Sequence, residues 1–239
     1  MDLAGQRIVV VGGSSGIGRA AATLFVEQGA DVVVAARSAE KLADLAAAVP
    51  GLATEQVDAT DRRSLDAMFA RLGPFDHLVV CFSSGGGSGP FASLDLDALH
   101  RAFTGKTLSH LATVQASLPT LRRGGSVTLV TAASAQSALP GTVGLASVNG
   151  ALEAAVRPLA TELAPTRVNA VSPGLVETPL WDGMPPSARA GFFTDVAGRT
   201  PAGRVARPDE IAVTLAMLVM STFVTGHVVV ADGGLHLAR

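Results

Sequence analysis

The strand-like run RIVVV leads straight into GGSSGIG, and Gly12, Gly16 and Gly18 open the helical pattern that follows. Glycines at that spacing permit a tight turn and let backbone N–H groups approach a pyrophosphate, whose charge the helix N-terminus favours. Ser14, Ser15 and Ile17 belong to the same turn and are expected to line the same phosphates. A bare strand-to-helix turn is the plainer alternative. The second apolar run ends AARSAEKL, with Ala36 where an acid would accept from a ribose 2′-hydroxyl, followed by Arg37 and Ser38. A guanidinium fork matches a 2′-phosphate and the serine adds a hydroxyl, so the pair predicts a dinucleotide carrying a 2′-phosphate, unless Arg37 is only a solvated surface residue. Asp58, followed by Ala59, closes the third run. Its carboxylate either accepts from an adenine amino group or caps the next helix, a task for which Asp61 is better placed.

These residues need a scaffold that brings strand ends together. RIVVV, ADVVVAA, ATEQVD, HLVVC, SVTLVTA, RVNAVS and HVVVAD read as seven short strands, mostly apolar and β-branched, as strands buried on both faces must be. Helical patterns near 16–28, 39–48, 61–71, 95–120, 143–163 and 208–220 alternate with them. The alternation predicts an α/β fold: a doubly wound, seven-stranded parallel sheet with helices on both faces, in one domain spanning 1–239. Gly174, Pro179, Gly183, Pro185, Pro186 and Pro201 break the pattern over 174–206, which reads as a stretch without regular structure, a lid or binding loop.

Composition removes several function classes. A net charge of −2 without a Lys/Arg-dense run offers nothing to nucleic acid or to an anionic membrane. IAVTLAMLVM is too short to span a bilayer. The single cysteine, Cys81, cannot close an internal disulfide, and MDLAGQRIVV lacks a basic stretch followed by a long apolar one, so a cytoplasmic protein is expected. His77, His100, His227 and His236 have no ligand-like spacing with acids or with Cys81, and no metal is predicted.

Several motifs in order carry a resemblance along essentially the whole chain: VGGSSGIG at 11–18, VDATD at 57–61, ELAPTRVNAVSPG at 162–174, VETP at 176–179, GRVARPDEIA at 203–212 and TGHVVVADGG at 225–234. Together they resemble the classical short-chain dehydrogenase/reductase family. The resemblance implies a Rossmann-type sheet, a nicotinamide cofactor and commonly a homotetramer, or failing that a homodimer. It also implies that Pro173, Gly174, Val176 and Thr178 lie along the nicotinamide, with the following loop closing over substrate.

The chemistry departs from that pattern. The family uses an Asn, a Ser, and a Tyr followed four residues later by a Lys. Aligned on Pro140-Gly141 and NGALE, those positions fall on Lys106, on Ala132 with Thr131 beside it, on Leu145 and on Asn149. The chain contains no tyrosine. LVVCFSSGG replaces the family's Asn-Asn-Ala-Gly, so that Val80, Cys81, Phe82 and Ser83 would line the cofactor. Lys106 is the candidate for the lost lysine's place, binding ribose hydroxyls or polarising an oxyanion, unless it points to solvent. Asn149 can hydrogen-bond ribose, and Thr131 and Ser134 offer hydroxyls. His110, a turn beyond Lys106, is either a proton relay or a packed core residue, and Cys81 is a small buried residue more readily than a nucleophile. Two functions follow: an NADP(H)-dependent oxidoreductase that interconverts a small carbonyl compound and its alcohol without the tyrosine, or a non-catalytic NADP(H)-binding sensor.

Overall fold

The computed structural model describes residues 3–237. Its strands are β1 (Arg7–Val11), β2 (Asp31–Ala36), β3 (Ala53–Gln56), β4 (Phe75–Val80), β5 (Leu121–Val130), β6 (Arg167–Pro173) and β7 (Val228–Ala231). They form one parallel sheet in the order β3-β2-β1-β4-β5-β6-β7. The chain therefore winds outward in both directions from β1 and β4, and a crevice opens at their carboxyl ends, the place where such sheets bind ligands.

Alternation along each strand feeds two cores. In β1, Ile8 and Val10 join one apolar cluster while Val9 and Val11 join the other. The first cluster is covered by helices α1 (Gly16–Glu27), α2 (Ala39–Ala48) and α8 (Pro208–Met220), the second by α3 (Arg62–Leu72), α5 (Ser109–Ser117) and α6 (Val143–Glu162). This is the predicted doubly wound sheet with helices on both faces. No helix among the described residues is long and apolar enough to cross a membrane.

Two expectations need correction. The helical pattern over 95–120 is not one helix: α4 (Leu96–Ala102) and α5 are joined by a π-helical segment, Phe103–Leu108. Gly105 lies within it, close against Ser84, and a Cβ there would stand 3.0 Å from that side chain's Cβ. Wider turns of this kind are frequent at functional sites, and Lys106 lies buried within this one. The stretch 174–206 is not irregular throughout, because it contains a short 3-10 turn at Pro179–Trp181 and the 14-residue helix α7 (Pro186–Arg199). Pro185 and Pro186 read as breakers in sequence, yet Pro186 occupies the first helical position, where its missing N–H costs nothing.

Candidate active site

A cleft of about 1140 Å³ lies at the carboxyl end of the sheet and is lined by every predicted cofactor residue except Gly18 and Val80, the latter being a core residue because it points into the sheet's second apolar cluster. Gly18 serves the turn from beneath: a Cβ there would stand 2.4 Å from the Gly12 carbonyl oxygen. Gly12 has φ of +86°, and a Cβ on it would stand 2.5 Å from the Phe82 backbone nitrogen. The turn is thus pressed against the loop after β4, and only glycine fits at either position. Ser15, the residue preceding α1, makes no side-chain cap. The first-turn N–H groups of α1 therefore have no side-chain cap from Ser15, the arrangement that suits a pyrophosphate. Thr178 closes over this turn, its methyl 3.2 Å from where a Gly16 Cβ would be, so the loop after β6 and the glycine turn border one space.

At the β2 end, Arg37 is exposed and Ser38 accepts from the Lys41 amide at 3.2 Å, capping α2. Acceptance leaves the Ser38 proton free to be donated. Lys41 lines the same end of the cleft, a second cation beside Arg37 whose place at the start of α2 was legible in AARSAEKL but not singled out. Asp58 does not cap α3, a role taken by Asp61 through the Arg63 amide at 2.9 Å. Its Oδ1 accepts from the Thr60 amide and hydroxyl at 2.9 and 2.7 Å. Those bonds, and the Arg37 guanidinium more weakly, hold its carboxyl below the ordinary range.

At the other end Lys106 points inward, only 6% exposed, and its Nζ donates to the Thr131 carbonyl oxygen at 3.3 Å. One ammonium proton is thus spent and the others remain available. Burial pushes its pKa down from the ordinary 10.5 to about 8, against the pull of nearby Cys81 and Glu153. At neutral pH it is still largely an ammonium. Asn149, 3% exposed, spends its amide nitrogen on the Leu145 carbonyl at 2.9 Å and the Ser134 hydroxyl at 3.3 Å, while its Oδ1 is buried with no partner. A buried acceptor left unpaired beside a cleft is what a ligand hydroxyl would satisfy.

Thr131 is corrected as a catalytic candidate. Its hydroxyl is turned away from the cleft onto Glu153 Oε1 at 2.8 Å and the Val171 carbonyl at 3.2 Å; only its backbone carbonyl serves the site, by holding Lys106. Glu153 went unnoticed in the sequence. It sits one turn beyond Asn149 on α6 and also accepts from Ser172 at 2.7 Å and Gln136 at 3.0 Å, tying β5, β6 and the loop after β5 together behind the cleft. The only signal was an acid on the inner face of a helix. Leu145 is fixed by the glycine loop after β4, where its amide donates to the Gly87 carbonyl at 3.1 Å.

His110 is a core residue and not a relay. It is fully buried, its Nδ1 lies 2.9 Å from the Lys106 carbonyl oxygen, and its ring packs on Phe82 at 4.2 Å. Burial first, and the Lys106 charge second, push its pKa down to about 3, so it stays neutral. Cys81 lines the cleft with its thiol pushed up to about 12 by burial, which keeps it protonated and unreactive. Beyond Leu145 the cleft continues into the lid, where the Trp181 indole N–H donates to the Val176 carbonyl at 2.9 Å and the ring leans on Phe192 at 5.4 Å. No group of three or more His, Cys, Asp or Glu able to hold a metal occurs among the described residues.

Comparison with known proteins agrees with this geometry. A family model described as enoyl-(acyl carrier protein) reductase matches residues 11–236. Cis-4-hydroxycyclohexanecarboxylate dehydrogenase of Sinomonas cyclohexanicum is 34% identical, covering 95% of this chain and 94% of its own. L-xylulose reductase of Mus musculus is 31% identical over 98% of both chains. A solved small-chain dehydrogenase in complex with NADPH superposes with a TM-score of 0.86 at 28% identity, covering 98% of this chain and 99% of that one.

Proposed function

This chain belongs to the short-chain dehydrogenase/reductase family, and we propose that within it the protein is an NADP(H)-dependent oxidoreductase interconverting a small carbonyl compound and its alcohol, with Lys106 acting where the family's tyrosine and lysine do not exist. The observation that carries the proposal is the buried ammonium of Lys106, in a cleft also lined by Asn149, whose Oδ1 is unpaired, and by the glycine turn. The glycine turn fits a dinucleotide because Gly12 and Gly18 leave no room for any other residue. Arg37 and Lys41 favour a 2′-phosphate, and a structural relative was solved with NADPH.

When bound, the cofactor supplies or accepts the hydride. Asn149 Oδ1 would accept from one ribose hydroxyl of the bound cofactor, and Lys106 would donate to another. A remaining Lys106 proton faces the carbonyl oxygen, stabilising the negative charge that develops there and delivering a proton to it. Loss of a positioned general acid typically costs about 10²–10⁴ in rate, while holding the reactants together retains a large part of the acceleration. Turnover is therefore expected to be slow but real. The sensor alternative is favoured by one observation, Leu145, which brings an aliphatic wall to the position of the missing phenol.

Titration with NADPH and NADH, run beside NADPH oxidation over a panel of ketones and aldehydes, tests the proposal. Expected are micromolar or tighter NADPH binding and measurable oxidation with at least one carbonyl compound. Binding without oxidation across the whole panel would overturn it in favour of the sensor.

A further inference from the structure

The stretch of the cleft bordered by the loop before α6, by α6 and by the lid is largely apolar. Its walls are Leu139, Leu145, Leu180, Trp181, Phe192 and Val196, drawn from the loop before α6, from α6 itself and from the lid. Trp181 has one polar atom, and that atom is spent on Val176, so the indole offers the cleft only its apolar surface. Phe192 lies against it in tilted contact and Phe193 stands edge-on at 6.3 Å, a cluster that props the lid from behind. Arg199 is the one charged side chain on this stretch, and it is ion-paired with Asp195 on the same helix. Among the polar groups of this cleft, Asn149 bonds Ser134, Lys106 bonds the Thr131 carbonyl, the Thr142 hydroxyl is spent on the Leu139 carbonyl, and the Ser137 hydroxyl is buried without a partner.

We infer that the carbonyl substrate is an uncharged, ring-bearing ketone, alicyclic or aromatic, and not a sugar or another polyhydroxy compound. This rests on the oxidoreductase reading above. A ring lies flat against indole and phenyl faces and buries apolar area on both sides. Each hydroxyl of an open-chain sugar buried against the same walls would be left unpaired and would cost about tenfold in affinity. With Lys106 and Asn149 holding the ribose, the hydroxyls of Ser134 and Ser137 are left to meet substrate oxygens, fewer partners than a polyhydroxy compound needs. The net conversion adds a hydride and a proton to the ketone, giving the secondary alcohol as NADPH becomes NADP⁺.

Trp181 is the only tryptophan, and no tyrosine competes with it, so its fluorescence reports directly on this wall. In the NADP⁺-loaded protein, α-tetralone and ribulose are titrated separately, and NADPH oxidation is measured with each ketone. Saturable quenching by α-tetralone at a Kd about a hundredfold below that of ribulose is expected. Leu180→Ser, at a largely exposed position that tolerates polarity, should raise the α-tetralone Kd about tenfold and leave NADPH affinity unchanged. Quenching by α-tetralone without oxidation would support the ring site while counting against the oxidoreductase reading. Oxidation with ribulose in preference to α-tetralone would overturn the ring site and leave that reading intact, and absence of quenching by α-tetralone would also overturn it.

Discussion

Replacing Lys106 by methionine separates function from stability, because it keeps the linear side chain and removes only the ammonium. Burial lowers the lysine pKa from 10.5 to about 8 in the folded protein. That displacement corresponds to about 3 kcal/mol spent in holding the charge in place. Against it stands the single hydrogen bond to the Thr131 carbonyl, worth about 1–2 kcal/mol. Lys106→Met should therefore stabilise the cofactor-free protein by about 1–2 kcal/mol at pH 7. The sign follows from proton counting: between about pH 8 and 10.5 the unfolded chain holds the lysine proton and the folded one does not. Stability of the parent thus rises with pH across that window. The methionine variant lacks this rise, so its advantage is full below about pH 8, is lost as pH climbs above that and has reversed by about 10.5. NADPH affinity should move the opposite way, falling by about 1–3 kcal/mol with the loss of a charge-assisted contact, and carbonyl reduction should fall further. Urea denaturation at pH 7 and 10 and an NADPH titration followed by Trp181 quenching measure both effects. A variant that is less stable than the parent at pH 7 and binds NADPH equally well would refute the reasoning and make Lys106 a structural residue.

Arg37→Ala should erase most of an NADPH-over-NADH preference, measured as the ratio of the two dissociation constants, because Lys41 alone offers no planar fork. Gly12→Ala should abolish cofactor binding and lower the melting temperature, since the new Cβ meets the Phe82 backbone at a φ that L-residues rarely adopt; differential scanning fluorimetry with and without NADPH checks both. Light scattering at micromolar concentration should give the mass of a homotetramer, or at least a dimer, from the surfaces of α5 and α6, where Leu108 beside α5, Leu118 and Val143 stay exposed. Ala132→Ser, Leu145→Tyr and Asn149→Lys together should bind NADPH poorly, since a second ammonium is placed facing Lys106; adding Lys106→Asn should recover binding and speed ketone reduction beyond the parent, as steady-state kinetics would record.

That last variant also marks where sequence reading succeeds and where it stops. The sheet was legible because Ile8 to Val11 and their counterparts are apolar on both faces, a pattern only a doubly covered parallel sheet satisfies. The cofactor groove was legible because glycines and Arg37 act through local backbone geometry and charge, and the structure brings all of the named residues except Gly18 and Val80 to one cleft. Direction of side chains was not legible. Thr131 carries the right hydroxyl, but the strand's alternation sends it to Glu153, twenty-two positions away, and no local pattern announces that partner. The helix over 95–120 looked uniform because a π segment leaves no compositional mark beyond Gly105, yet that extra width bears on whether Lys106 faces solvent or the cleft. Lys106 and Asn149 hold each other's expected residue types in the family pattern, an exchange between two helix segments that face the same space. The cleft thus keeps a positive charge and an amide, while the phenol has no counterpart and the family's serine falls on Ala132, with the neighbouring Thr131 hydroxyl bonded to Glu153 and Val171. That both positions line one cleft is a fact of packing, and in the reading proposed above the absent tyrosine then leaves a site whose proton comes from Lys106.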